Sequence, residues 1–289
     1  MAAPLVGLLY NPTAAPVIAE AGDLVDYVEV IPDRLWYDFG PSAAPRFRRV
    51  GELVDDLRDA VGGRTTAGHG IGLSLPSALT LDGAMLDEVA WFVREFGFAW
   101  YSEHLSAFLV PGRAVPNAQA GLGLPVQLSA ESLALVAAKV RTMQDALGVP
   151  ILLENGAIFA PIPDMEMDEP EFFNRLWDET GCQVLLDLHN LHVNAVNQGV
   201  DERAYVEALR PEAVGEIHVA GGDWLQGFYT DSHSRPTPDR VWELARDYAP
   251  TFPSLRAITF EWHESYFDRL GLDGITRELE AMRGIAALC

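Results

Sequence analysis

Cysteine is nearly absent from this 289-residue chain, which carries only Cys182 and Cys289. Two thiols cannot build a disulfide framework or a thiolate metal site, and Cys182, just before an apolar run, reads as a small buried apolar residue. Basic residues are also scarce. Lys and Arg total 20 against 42 Asp and Glu, a formal net charge of -22. That balance repels nucleic acid and anionic membrane, both of which reward dense cationic surface, so neither is an expected partner. Hydrophobic residues reach 49%, yet no run approaches the roughly 20 uninterrupted apolar residues of a membrane span. The opening Met1-Ala2-Ala3-Pro4-Leu5 leads into a strand-like run with no basic or signal-type segment, so a cytoplasmic location is expected. No Gly-x-Gly-x-x-Gly turn follows the first strand, and no phosphate loop or serine nucleophile elbow is visible. Nicotinamide, nucleotide-hydrolysing and serine-hydrolase chemistry are disfavoured accordingly.

What the chain has in quantity is alternation. Eight short apolar runs read as strands: Leu5 to Leu9, Tyr27 to Val30, Arg64 to Ala67, around Trp100 and Tyr101, Pro150 to Leu153, Val184 to Leu186, Val214 to Val219 and Ala257 to Phe260. Helical spacing separates them, as in Leu86, Val89, Val93 and Phe96, or in Leu133, Val136, Val140, Met143 and Leu147 behind Ser129 as N-cap. The connection between the sixth and seventh strands is expected to hold a helix from Glu202 to Leu209. Strands alternating with helices imply a parallel sheet, and eight such units imply a closed TIM-type (β/α)8 barrel. With about 250 residues typical of that fold, the chain is expected to be a single domain over residues 1–289. Two stretches lose periodicity, Val110 to Val126 and Ala160 to Glu169, and the first is expected to be a lid or an irregular loop.

Nearly every strand breaks off into residues that bind metals. His69, His104, Glu154, Asp187, His218 and Glu261 stand just past apolar runs, and Asp231 and His233 follow in the loop after the seventh strand. One His or Asp at a strand end is usually a hydrogen-bonded structural residue. Eight at the same end of successive strands describe a rim, the face where such barrels keep their chemistry. Imidazole mixed with carboxylate, without thiolate, suits Fe, Mn or Zn. The set is larger than one ion needs, so two or three carboxylate-bridged ions are expected. Bridging also relieves the repulsion of converging acids.

Glu29, inside the second apolar run, needs a partner or a function: a role behind the ligands or a structural hydrogen bond. Glu103 and Asn155 adjoin the rim candidates in the same supporting sense. His189, His192 and His263 are peripheral, either ligands or neighbours of ligands. The glycines of Gly68-His69-Gly70-Ile71-Gly72 are expected to let backbone approach the site. In the loop Gly222 to Thr230, Trp224, Phe228 and Tyr229 form a wall for substrate or pack ordinarily.

These residues resemble a known family, the DUF692 proteins or multinuclear non-heme iron-dependent oxidative enzymes, which include the methanobactin and 3-thiaglutamate biosynthetic enzymes. The matching segments are His69-Gly70-Ile71-Gly72-Leu73-Ser74-Leu75, Ser102-Glu103-His104-Leu105, Leu153-Glu154-Asn155, Leu186-Asp187-Leu188-His189-Asn190, Glu216-Ile217-His218-Val219-Ala220-Gly221, Asp231-Ser232-His233 and Glu261-Trp262. The resemblance implies a barrel holding two or three irons of mixed valence, ligated by His69, His104, Glu154, Asp187, Asn190, His218, Asp231, His233 and Glu261. Asn190 enters through the resemblance alone. Where the family commonly has Asn-Asn-Val-Tyr, this chain has His189-Asn190-Leu191-His192.

The implied activity is O2-dependent modification of a ribosomally made precursor peptide, often at cysteine or at another residue of its C-terminal region. A separate small protein that grips the leader peptide is the implied partner. Two rivals stand beside it. One is a Zn- or Mn-dependent hydrolase or isomerase resembling endonuclease IV or xylose isomerase, acting on a sugar or small phosphorylated substrate. The other is a metal-binding protein without turnover.

Overall fold

The computed structural model describes residues 3–110, 118–160 and 162–289. Eight strands form the wall: β1 (Leu5–Leu9), β2 (Tyr27–Val30), β3 (Thr65–Gly70), β4 (Tyr101–His104), β5 (Ile151–Glu154), β6 (Gln183–Asp187), β7 (Val214–Val219) and β8 (Ala257–Phe260). Each pairs in parallel with its neighbours in chain order, and β1 closes on β8, so the sheet is a barrel without edges.

Helices pack outside it, and their ends follow from local chemistry. Asp82, Ser129, Asp168, Asp187 and Asp201 each accept backbone N–H groups of a first turn, while Gly62, Gly97, Gly148, Gly181 and Gly199 close helices in the left-handed region. No helix among the described residues is long and apolar enough to cross a membrane.

The core is in two parts. The larger lies between the wall and the helices. The smaller fills the barrel's interior on its N-terminal side, where Tyr27, Ala67, Trp100, Leu152, Leu185 and Ala257 meet as a floor. Leu152 and Leu185 are wholly inaccessible, each contributing about 2 kcal/mol by burial. Tyr27 fits only because Gly7 lies beside it: a Cβ there would stand 2.2 Å from its ring.

Three connections differ from expectation. The link from β6 to β7 holds a further helix, Leu188–Gln198, before Glu202–Ala208. Its His- and Asn-rich sequence has weak intrinsic propensity, but the Asp187 cap and the buried Leu188, Leu191 and Val193 stabilise it. Within the stretch expected to be an irregular lid, Ala107–Val110 pairs antiparallel with Ala118–Leu124; the rest of that expectation, residues 111–117, lies outside the described residues. The loop after β7 is itself a small hairpin, Trp224–Leu225 against Phe228–Tyr229.

Candidate metal centre

Side chains alternate across a strand, so a residue two positions beyond a floor residue also faces the interior, one layer nearer the C-terminal rim. That spacing recurs around the barrel: Tyr27 and Glu29, Ala67 and His69, Leu152 and Glu154, Leu185 and Asp187, Glu216 and His218, Thr259 and Glu261. The second layer is consequently polar and almost wholly buried, with Glu29, Asp187 and His218 inaccessible and His69, Glu154 and Glu261 at 3% or less.

The imidazoles are oriented from behind. Ser102 Oγ donates to the Gly68 carbonyl (3.2 Å) and faces His69 Nδ1 at 2.8 Å, which makes Nδ1 the protonated nitrogen and leaves Nε2 as the free donor. His104 Nδ1 donates to the Gly70 carbonyl at 3.0 Å, freeing its Nε2 as well. Those two Nε2 atoms lie 3.4 and 3.1 Å from the same Glu154 oxygen, Oε2. His218 presents Nδ1 to Glu261 at 3.2 Å and turns Nε2 toward Glu29 at 2.8 Å. Glu29 thus stands behind a histidine.

The carboxylates are fixed by amides. Asn155 accepts from Asp187 N (2.8 Å) and donates to the Asp187 carbonyl (2.9 Å), tying β5 to the end of β6. Asp187 Oδ1 caps the following helix through Asn190 N at 2.7 Å. Asn190 Nδ2 in turn donates to Glu154 Oε1 (3.0 Å) and to the Asn155 carbonyl (3.1 Å), which leaves its Oδ1 free.

Beyond them, Asp231 Oδ1 sits 2.8 Å from His233 Nε2 and 3.0 Å from His189 Nδ1. His233 has φ of +50°, a left-handed conformation uncommon in a residue with a side chain and characteristic of strained functional positions.

Donor atoms therefore gather in groups whose members lie within 4.8 Å of one another: His69, His104 and Glu154; His69, His218 and Glu261; Glu154, Asp187 and His218; His189, Asp231 and His233. The first three groups share members and form one array. A fifth arrangement, Glu29, Glu216 and His218, lies deeper.

Burial and mutual repulsion divide the protons unevenly. Desolvation, with the Asp187 charge added, pushes Glu154 well above the usual carboxylate range, and desolvation with Asp231 and Glu261 brings Asp187 up to about 6. Glu29 rises to about 8 through burial and the charge of Glu216. Burial and the neighbouring His104 hold His69 well below its ordinary value. Burial would lower His233 too, but Asp231 and Glu261 outweigh it and raise the imidazole to about 10.

Buried atoms that make no hydrogen bond converge here: Glu29 Oε1 and Oε2, Glu154 Oε2, Asp187 Oδ2, His189 Nε2, Asn190 Oδ1, both nitrogens of His218, and His233 Nε2. Each such atom costs about 1–3 kcal/mol in a protein interior. Their chemistry, imidazole nitrogen with carboxylate and amide oxygen, fits a multinuclear transition-metal site.

Other expected residues lie elsewhere. Glu103 faces outward from the wall beneath the loop at Leu73, accepting from Leu73 N and Tyr101 OH. The glycines of that loop admit these buried groups, not the site: a Cβ on Gly70 would stand 2.0 Å from Tyr101 Oη. His192 pairs with Glu202 at 2.8 Å, away from the array. His263 is half exposed and caps the short turn Glu264–Tyr266 through Ser265 N, although it also lines the opening above the array.

Trp224 and Phe228 are exposed on their hairpin, while Tyr229 is buried against the rings of His189 and His192. Among the described residues, two openings reach the array. One, of about 310 Å3, is lined by His69, His104, Glu154, Asp231, His233 and Glu261. The other, of about 270 Å3, passes Phe108 and Phe159 to reach Asn190 and Asp231. Trp224 and Phe228 line neither; the apolar walls near the array include Ile71 and Trp262 in the first opening and Phe108 and Phe159 in the second.

Sequence reasoning missed Ser102, which orients His69, and Glu216, which lies under His218. Both stand two residues before a rim histidine, a spacing that alone would have placed them inside the barrel.

Comparison with solved structures gives the same architecture. A D-psicose 3-epimerase with D-tagatose from Clostridium cellulolyticum superposes with a TM-score of 0.60 at 11% identity, covering 98% of this chain and 99% of that one. Endonuclease IV from Thermus thermophilus gives 0.55 at 17% identity, covering 99% and 100%. At such identity the likeness is one of fold.

Among sequence relatives, a UPF0276 protein of Caulobacter vibrioides is 32% identical over 266 residues, covering 90% of this chain and 86% of the relative. One of Pseudomonas aeruginosa is 35% identical over 237 residues, covering 81% and 77%. The match spans 63% of a Chromobacterium violaceum relative, at 43% identity over 62% of this chain. A family model described as the RiPP precursor modification enzyme MbnB/TglH/ChrH matches residues 5–286. With that model covering nearly the whole barrel, the chain belongs to the MbnB/TglH/ChrH family of RiPP precursor modification enzymes.

Proposed function

We propose that this protein is an O2-dependent enzyme with two or three irons that oxidatively modifies a ribosomally synthesised precursor peptide, at cysteine or another residue of its C-terminal region. The observation that carries the proposal is the convergence, in a family of peptide-modifying enzymes, of imidazole and carboxylate donors from successive strand ends and from the loop after β7, several of them buried without a hydrogen-bond partner. In this reading His69, His104, Glu154, Asp187, Asn190, His218, Asp231, His233 and Glu261 hold the metals. Residues 1–289 act as one barrel domain.

The array has more donors than one ion accepts, and Glu154, like His69 and His218, belongs to more than one group. Bound iron would supply one-electron redox chemistry toward O2, which amino-acid side chains cannot. The chain's own part is to orient and to exclude water. Ser102 and the Gly70 carbonyl hold the His69 and His104 imidazoles in register, Glu29 stands 2.8 Å behind His218, and the floor closes the barrel beneath them.

A peptide has room to reach the array. A groove of about 700 Å3 lies beside Tyr10, Pro12, Ile18 and Leu53, and it shares Ile31 and Arg34 with the opening above the ligands. An extended chain fits such a path better than a compact sugar does. The leader is held by a separate small protein, and the reaction takes place in the cytoplasm, where Cys182 and Cys289 stay reduced.

The test is co-expression with candidate precursor peptides, followed by mass spectrometry of the peptide. The reading predicts a mass change that requires both air and iron. Full turnover of a sugar or phosphorylated substrate under nitrogen with zinc or manganese would refute it in favour of a hydrolase or isomerase.

A further inference from the structure

We infer that His189 is a direct metal ligand, completing with Asp231 and His233 a two-histidine, one-carboxylate site at the rim. The inference rests on the rim being a metal centre, and it adds a ligand where the sequence departs from the family pattern.

The position of His189 is built. Asp187 caps the helix Leu188–Gln198, which sets His189 in its first turn with no accessible surface. Near the other end of that helix, Asn197 grips the hairpin: its Nδ2 donates to the Tyr229 carbonyl (2.7 Å), and Tyr229 N donates back to its Oδ1 (3.0 Å). Thr230 N then bonds the Asp223 carbonyl at 2.9 Å. The same two elements therefore fix His189 on one side and Asp231 on the other, and the Tyr229 ring, 5.8 Å from that of His189, packs the imidazole between them.

The donor geometry matches one ion. His189 Nδ1 and His233 Nε2 both approach Asp231 Oδ1, at 3.0 and 2.8 Å, and the three donors lie within 4.8 Å of one another. Adjacent ligands on an ion with bonds of about 2.1 Å are separated by roughly 3 Å. Two histidines and one carboxylate leave a six-coordinate ion open on its remaining faces.

A purely structural histidine would look different, and the same helix supplies one. His192 pairs with Glu202, which Arg240 neutralises at 2.5 Å. His189 is placed differently: its Nδ1 and His233 Nε2 converge on the single oxygen Asp231 Oδ1, while its own Nε2 makes no hydrogen bond and lies against Gly222, where an added Cβ would stand 3.1 Å away. Two imidazole nitrogens aimed at one carboxylate oxygen at the spacing of neighbouring ligands are the arrangement that one ion collects.

The experiment is anaerobic Co(II) titration of the whole protein, reading bound equivalents after desalting and the visible Co(II) absorption. Co(II) reports coordination whichever metal is resident. Four proteins are compared: the parent, His189→Phe, His189→Ala and His192→Phe. Both His189 variants are expected to lose one equivalent, or to bind their weakest ion at least tenfold less tightly, with the remaining absorption unchanged. His192→Phe should keep the parent's stoichiometry, and thermal melting of the metal-free proteins separates misfolding from ligand loss. Parent-like equivalents and affinity in either folded His189 variant would overturn the assignment of His189 alone. A parent chain that takes up no Co(II) would overturn both this assignment and the multinuclear reading.

Discussion

Glu216 and Glu154 are buried in one barrel about one layer apart, yet their surroundings are opposite. Glu216, on the floor side, is fully partnered: Tyr27 OH (2.8 Å) and Thr259 Oγ1 (3.0 Å) donate to one oxygen, Trp100 Nε1 (2.7 Å) to the other. Glu154, on the rim side, has a single amide donor, and its Oε2 faces two unprotonated imidazole nitrogens with no hydrogen bond. A satisfied buried carboxylate stabilises the fold, whereas one left unsatisfied costs stability and is retained for what it binds. On the proposed function the floor is structural and the rim chemical, although one strand, β7, serves both through Glu216 and His218.

The sharpest way to break this division is to exchange the expected outcomes. Glu154→Ala should lower metal affinity at least 100-fold and abolish turnover while leaving the metal-free protein about as stable, because it removes an orphaned acid; metal analysis and denaturant titration check both halves. Glu216→Ala should do the reverse. Three buried donors would lose their acceptor, costing about 3 kcal/mol or more, with metal stoichiometry retained. Stability loss at Glu154, or metal loss at Glu216 without unfolding, would contradict the division.

A second test uses protons. Asp187 is raised to about 6 by burial and by Asp231 and Glu261, and burial with the Asp187 charge raises Glu154 above the usual carboxylate range. Raised carboxyls bind protons more readily in the native state than in the unfolded chain, so in the metal-free protein their contribution to stability is fully present at low pH and declines as pH rises through about 6. Metal must displace those protons, so its binding has the opposite dependence. Metal per chain after equilibration should be constant above pH 7 and fall as pH drops through about 6, by up to about tenfold in affinity per pH unit for each proton displaced. Retention unchanged down to pH 4.5 would mean that these carboxyls are not ligands.

The smallest expected effect lies outside both regions. Trp224 and Phe228 are 62% and 52% exposed, so replacing both by Ala should alter stability by no more than about 0.5 kcal/mol each. Any effect should appear in KM for the peptide with kcat unchanged, measured by steady-state turnover. A change in kcat would place the hairpin at the chemistry.

Much of this was legible in the sequence because strands carry a period of two. An apolar run that ends in His, Asp or Glu fixes both the barrel position and the inward face, so the closed barrel and the rim placement of His69, His104, Glu154, Asp187, His218 and Glu261 followed from pattern alone. The connections were less legible. Helix Leu188–Gln198 was hidden by a polar sequence whose stability comes from a cap and from tertiary burial, and without that helix the different surroundings of His189 and His192, three residues apart, could not be told. Asn190 was legible only through the family resemblance, because a buried amide in the first turn of a helix has no pattern of its own. Glu216 and Ser102 needed one further step, applying the alternation backward from each histidine.

The central claim, that the rim is a multinuclear iron centre, is tested most directly by metal analysis and spectroscopy of protein purified without oxygen, comparing the parent chain with Glu154→Ala and His218→Ala. The account predicts two or three irons per chain and a coupled mixed-valence signal that both variants lose. Stoichiometric zinc that survives reconstitution with iron, or metal content unchanged in both variants, would contradict it.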